Sequence, residues 1–156
     1  MQHHLEVKLI CVNDYLCYIK KLNKRIETLK ESIDRQKSLM LPAGIDYSEL
    51  VAASSSGDAL ENGVIKLQEL IKEYCTELAE YVEQQQIAYN VFKKLSNPKG
   101  TEALTKYYLQ GKTWEKVCVE MAYSYRGMMK LKKAAELEVY DYMPEQWRRY
   151  SIPNSI

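Results

Sequence analysis

The chain has 156 residues, 28% of them charged and 46% hydrophobic, with 6 Gly, 4 Pro and a formal net charge of +1. That length suits one domain, or a small domain on a helical extension, and leaves little room for a large enzyme. So few helix breakers in so charged a chain point to an all-α fold rather than a sandwich or barrel.

The near-neutral total hides an asymmetry. Residues 1–92 carry ten Lys/Arg against fourteen Asp/Glu, whereas 93–156 carry twelve against seven. Positive potential is concentrated in the C-terminal third. The first nine residues lack the cationic start and apolar run of a secretory signal, and no apolar stretch approaches the roughly 20 residues that span a bilayer. A cytoplasmic chain with no membrane partner is expected. Cys11, Cys17, Cys75 and Cys118 are scattered without a C-x-x-C pair, which predicts reduced, mostly buried thiols, no metal site and no cofactor. His3 and His4 lack acidic or thiol partners at ligand spacing and read as solvated. No phosphate-cradling glycine loop, H-E-x-x-H or G-x-S-x-G occurs, and no residue is assigned a catalytic role.

In chain order, Val12, Tyr15, Ile19, Leu22, Ile26, Leu29 and Ile33 step by 3 and 4, the period of an apolar seam on a helix, which predicts a helix from about Leu5 to Lys37. A second series, Leu60, Val64, Leu67, Ile71, Tyr74, Leu78, Tyr81, Gln85, Ala88, Phe92 and Leu95, keeps the same period. Gln85 is its one polar member and reads as a register-setting residue. Asp58 is the candidate N-cap with Glu61 as its capping-box partner, and Asn97-Pro98 with Gly100 stop the helix. Between the helices, residues 38–57 hold Pro42, Gly44 and Ser54-Ser55-Ser56-Gly57 and read as a mobile loop, in which Ile45, Tyr47, Leu50 and Val51 could dock a helical turn. The first helix is net basic and the second net acidic, so an antiparallel hairpin is expected within residues 1–97. Two apolar seams could also make a four-helix dimer, and self-association is expected because a lone hairpin buries only one stripe.

From Thr101 the heptad stops and three short helices are expected: Thr101–Leu109, Thr113–Met121, and one from Tyr125, together forming a small domain over 98–143. Thr113 and Ser124 are the N-cap candidates. The second and third of these have the pattern of a helix-turn-helix, with Trp114, Val117, Cys118 and Met121 facing Met128, Leu131 and Ala135. Tyr125, Arg126, Met129, Lys130, Lys132 and Lys133 are then the outward, DNA-binding face: Arg and Lys for phosphates and guanine edges, Tyr and Met for thymine methyls and sugar. Trp114 reads as a core anchor. In the tail 144–156, Trp147, Arg148 and Arg149 could grip phosphates or dock back on the domain.

The run Tyr107-Tyr-Leu-Gln-Gly-Lys-Thr-Trp-Glu-Lys-Val, with Met121-Ala-Tyr-Ser-Tyr and Leu131, resembles the sigma region-4-like domain of the ArpU and RinA group of phage transcriptional regulators. Upstream, Gly44-Ile-Asp-Tyr47, Ser54 to Asp58 and Val64-Ile-Lys-Leu are similar to the linker and second-helix entry of small phage proteins in that group. The resemblance covers most of residues 10–140. It implies promoter binding to double-stranded DNA, control of late or packaging-stage phage genes, and RNA polymerase as a partner. The chain departs from the pattern at Ala122, where Gly commonly makes the turn, and at Gly127, inside the proposed reading helix. The competing expectation is a protein-interaction module with a degenerate helix-turn-helix; a bare coiled-coil scaffold leaves the basic C-terminal third without a purpose.

Overall fold

The computed structural model describes residues 2–40 and 58–148, with the side chains of Asp58 and Ala59 left aside. Those residues are all-α: α1 (Gln2–Met40), α2 (Asp58–Lys93), α3 (Pro98–Leu104) running on into a π-helical turn (Thr105–Leu109), α4 (Trp114–Met121), α5 (Tyr125–Tyr142) and α6 (Glu145–Arg148). α1 extends three residues beyond its expected end. The rest of the expected loop, 41–57, the capping by Asp58, and Arg149 fall outside the description. None of the described helices is long and apolar enough to cross a membrane.

Two compact units form, one from residues 2–23 and 82–148, the other from 24–40 and 58–81. The expected boundary at 97/98 is not where they part: the start of α1 and the end of α2 belong with the C-terminal helices, because they share one core with them. In the 24–81 unit, Ile26, Ile33 and Leu67 are buried. The Arg25 guanidinium pairs with Glu77, while at the other end the Gln36 amide donates to the Gly63 carbonyl at 3.4 Å, so the two segments run antiparallel. Ile71, expected on the seam, is 40% exposed, and its neighbour Leu70 is half-buried instead. A 3.5-residue average repeat is shared between adjacent positions, and spacing alone does not choose between them.

The larger unit has the main core. α1 contributes Cys11, Val12, Tyr15, Leu16 and Ile19; α2 adds Ala88, Val91 and Phe92, with Leu95 just beyond its end; α3 and the π turn supply Leu104, Tyr108 and Leu109; α5 supplies Ala135 and Val139, with Met143 at its C-cap. Burial of Cys11 and Leu16 beside the 3-4 seam widens the apolar stripe, as expected of a helix packed by more than one neighbour. The thiols divide evenly rather than being mostly buried: Cys11 and Cys118 are inside, Cys17 and Cys75 exposed, and all four are free.

The α2–α3 corner is built from polar contacts. Asn97 caps α3 by accepting from the Lys99 N–H at 3.0 Å, and Pro98 takes the first helical position, where its missing N–H costs nothing. The Thr101 hydroxyl donates to the Phe92 carbonyl at 2.6 Å, and Ser96 clips to the Glu138 carboxylate on α5 through its N–H at 2.9 Å and its hydroxyl at 2.5 Å. That pair of bonds holds Glu138 below the usual carboxylate range. Gly100 is not a helix stop but a point of close approach: a Cβ there would sit 3.0 Å from that of Ala135.

Of the tail, Trp147 docks back. Its ring lies 5.0 Å from Tyr18 and 5.7 Å from Tyr15, and the Arg148 Nε–H donates to the Met143 carbonyl at 3.0 Å. The Tyr15 hydroxyl is fully buried with no hydrogen-bond partner among the described residues, and burial, with Tyr18 adding to it, pushes its pKa up to about 12. An unsatisfied buried hydroxyl costs about 1–3 kcal/mol. Tyr15→Phe is therefore expected to lose no stability and to gain up to about 1 kcal/mol, measured by urea unfolding; a clear loss would mean that the hydroxyl has a partner.

Candidate nucleic-acid interface

α4 and α5 are two separate helices joined by residues 122–124. Thr113 begins the first, its hydroxyl accepting from the Lys116 N–H at 3.3 Å, and Ser124 begins the second, accepting from the Gly127 N–H at 3.1 Å. Both caps lie where the sequence places them. Between them Ala122 adopts the left-handed conformation at φ 55, ψ 43, with the Tyr123 N–H reaching the Cys118 carbonyl at 3.0 Å and the Ala122 N–H the Val119 carbonyl at 3.3 Å. That pair of bonds closes a helix end on a residue that is usually Gly. Gly127 is in the first turn of α5, not its interior, so its N–H is one of the donors no helix can satisfy internally and its helix-propensity penalty is small.

The turn rests on a small second core of Ala103, Val117, Cys118, Met121 and Met128, one side chain or more from each of three helices. Leu131 is half-buried against it, and Trp114 lies at its rim. Trp114 is stacked on Tyr107 at 4.2 Å with an interplanar angle of 14°, and the Lys132 ammonium lies 5.5 Å from the indole. It therefore fastens α4 to the π turn and α5 rather than anchoring the core from within.

Of the six residues expected to face outward, Tyr125, Arg126, Lys130 and Lys133 are exposed. The other two are not on that edge. Met129 is half-buried against the second core, and Lys132 is held back by Trp114 and by the Glu136 carboxylate at 3.7 Å. Both flank the buried positions Met128 and Ala135, and α5 is packed on from two sides. Among the described residues, no ion pair engages Arg126, Lys130 or Lys133. At steps of 4 and 3 these three form one cationic stripe. The first turn of α5 holds no acidic residue and does hold Arg126, a charge opposed to the helix dipole.

Behind the stripe, the Tyr108 hydroxyl donates to Glu136 at 2.9 Å. Burial pushes the Glu136 carboxyl up, against the pull of Lys132 and Tyr108. Glu120, bridged by Lys106 at 2.8 Å and Lys112 at 2.9 Å, is instead held down at about 2 by those two cations. No group of His, Cys, Asp and Glu among the described residues could hold a metal ion. Comparison of the chain with protein-family models, with curated proteins and with solved structures finds no match in any of the three.

Two outcomes are expected. Ala122→Gly should raise stability by about 0.5–1 kcal/mol in thermal unfolding, because Gly adopts the left-handed region without a Cβ penalty. The native fold holds the Glu136 proton more tightly than the unfolded chain does, so that contribution is complete at pH below the ordinary carboxylate range and is lost as pH rises through the raised native value. Glu136→Gln keeps an acceptor for Tyr108 without the buried charge. It is expected to match or exceed the parent once pH is above the raised native value, and to remove this part of the fall in stability as pH rises from the ordinary carboxylate range, both read from urea unfolding.

Proposed function

We propose that the chain is a phage-type transcriptional regulator, similar to the ArpU and RinA group, that binds promoter DNA as a dimer through the exposed edge of α5 and acts with RNA polymerase in the cytoplasm. One observation carries the proposal: Arg126, Lys130 and Lys133 line a cationic stripe without an ion-pair partner among the described residues, beside exposed Tyr125, on a helix that starts from a tight, capped turn after α4. A stripe without carboxylate partners gains little for the fold. It is suited to meeting phosphates and base edges, with phosphate contacts supplying affinity and base contacts the choice of site.

The competing view is a protein-interaction module on a degenerate helix-turn-helix, favoured by Gly127 and by the near-neutral total charge of +1. Gly127 stands in the capped first turn of α5, which weakens the first of these grounds.

Binding of the full chain to duplexes from the regions flanking its own gene, followed by mobility shift over a salt series, is the test. Arg126→Ala and Lys130→Ala should each weaken binding by about 1–3 kcal/mol where the side chain reads a base edge. Where it meets a phosphate, the slope of log K on log salt should become shallower by roughly 0.9 per contact. Unchanged affinity and slope in both variants for a cognate site would sink the proposal.

A further inference from the structure

A hollow of about 240 Å³ opens beside the first residue of α5, and its lining comes from five parts of the larger unit: Lys20 of α1, Tyr107 of the π turn, Lys112 and Thr113 before α4, Glu115 in the first turn of α4, and Tyr125 of α5. We propose that this hollow is a seat for a phosphate of the DNA backbone, and that α1, outside the helix-turn-helix, thereby takes part in binding through Lys20. The inference rests on the DNA-binding proposal and adds a second element to it.

Several observations converge on an anion. Lys20 is exposed, makes no ion pair among the described residues, and is positioned by donating to the Tyr107 hydroxyl, with its ammonium 4.0 Å from the centre of that ring. Tyr107 is itself immobilised by its stack on Trp114. The cation is held at the rim of the hollow by a hydroxyl and a ring, not by a carboxylate. Lys112 stands at the same rim, placed by the left-handed turn at Gly111 (φ 68) and steadied by Glu120. The Thr113 hydroxyl is taken by Lys116, whereas the N–H groups of Trp114 and Glu115, in the first turn of α4, have no acceptor within the helix. Tyr125 shares the hollow, so a strand that reaches the start of α5 passes within reach of Lys20. Two groups oppose: the Glu115 carboxylate, exposed on the rim, and Glu120, whose pairing with Lys112 at 2.9 Å offsets that cation and leaves Lys20 as the main attraction. The presence of Glu115 makes the proposal testable in sign as well as size.

The experiment measures the full chain on a short mixed-sequence duplex by fluorescence anisotropy over a salt series, because phosphate contacts are independent of sequence. Lys20→Gln, which can still hydrogen-bond Tyr107, should weaken binding several-fold and make the salt slope shallower by roughly 0.9, whereas Lys20→Arg should retain the parental slope. Glu115→Gln should shift affinity the other way, tightening it. Thermal unfolding at the parental temperature shows that each variant is folded. If Lys20→Gln and Glu115→Gln both behave as the parent while Arg126→Ala loses affinity, the seat is wrong and DNA binding through α5 stands. If the parent binds no duplex, both fail.

Discussion

The contact on which the larger unit depends is the approach of α3 to α5, where Gly100 lies against Ala135 so closely that a Cβ on Gly100 would be only 3.0 Å from that of Ala135. Two helices that nearly touch backbone to side chain have few ways to rotate past each other, because packed interiors do not deform continuously. α5 is thereby fixed in azimuth. Met128 faces the small core under the turn, and Ala135, Val139 and Met143 face the main one. The side left over carries Arg126, Lys130 and Lys133.

Polar contacts refine what packing has placed. Ser96 grips Glu138 and so ties the corner after α2 to the middle of α5, one turn beyond Ala135. Glu136 accepts from Tyr108 and attracts Lys132, which draws one cation off the outer edge and against Trp114. Lys132 thus belongs to the scaffold, and its neighbours Lys130 and Lys133 to the surface. A run of four cations within eight residues therefore divides between two purposes according to what lies behind each. An exposed pair contributes only up to about 1 kcal/mol. Lys132 adds ring contact with Trp114 and pairs at 3.7 Å with the part-buried Glu136 carboxylate, whose burial it offsets only in part.

Among the described residues, strain and unsatisfied buried groups fall in a few places. Ala122 carries the left-handed turn that Gly would carry without penalty, and Tyr15, Thr105 and Trp147 keep buried polar atoms without a partner among the described residues. Ala122 is on the connection that sets α5 against α4, where the bonds from Tyr123 and Ala122 back to Cys118 and Val119 stabilise the turn. The π turn over Thr105–Leu109 is a further irregularity. It brings Tyr107 to Trp114 and Lys20 while its neighbour Tyr108 points into the core.

What the sequence determined by itself was local: the all-α class, two long heptad helices, the caps at Thr113 and Ser124, and the break between α4 and α5 all follow from side chains within a few residues of one another. Spacing could not say that Ile71 is exposed and Leu70 half-buried, since a 3.5-residue repeat leaves that choice to the partner helix. Nor could it assign Met129 and Lys132 to the packed side of α5, Gly100 to a helix contact, or half the cysteines to the surface, since each depends on an element distant in the chain. Lys20 shows this most plainly. Its neighbours on α1 mark it only as a solvated lysine, and it enters the candidate site because the tertiary fold carries Tyr107, 87 residues away in sequence, to within reach of its ammonium.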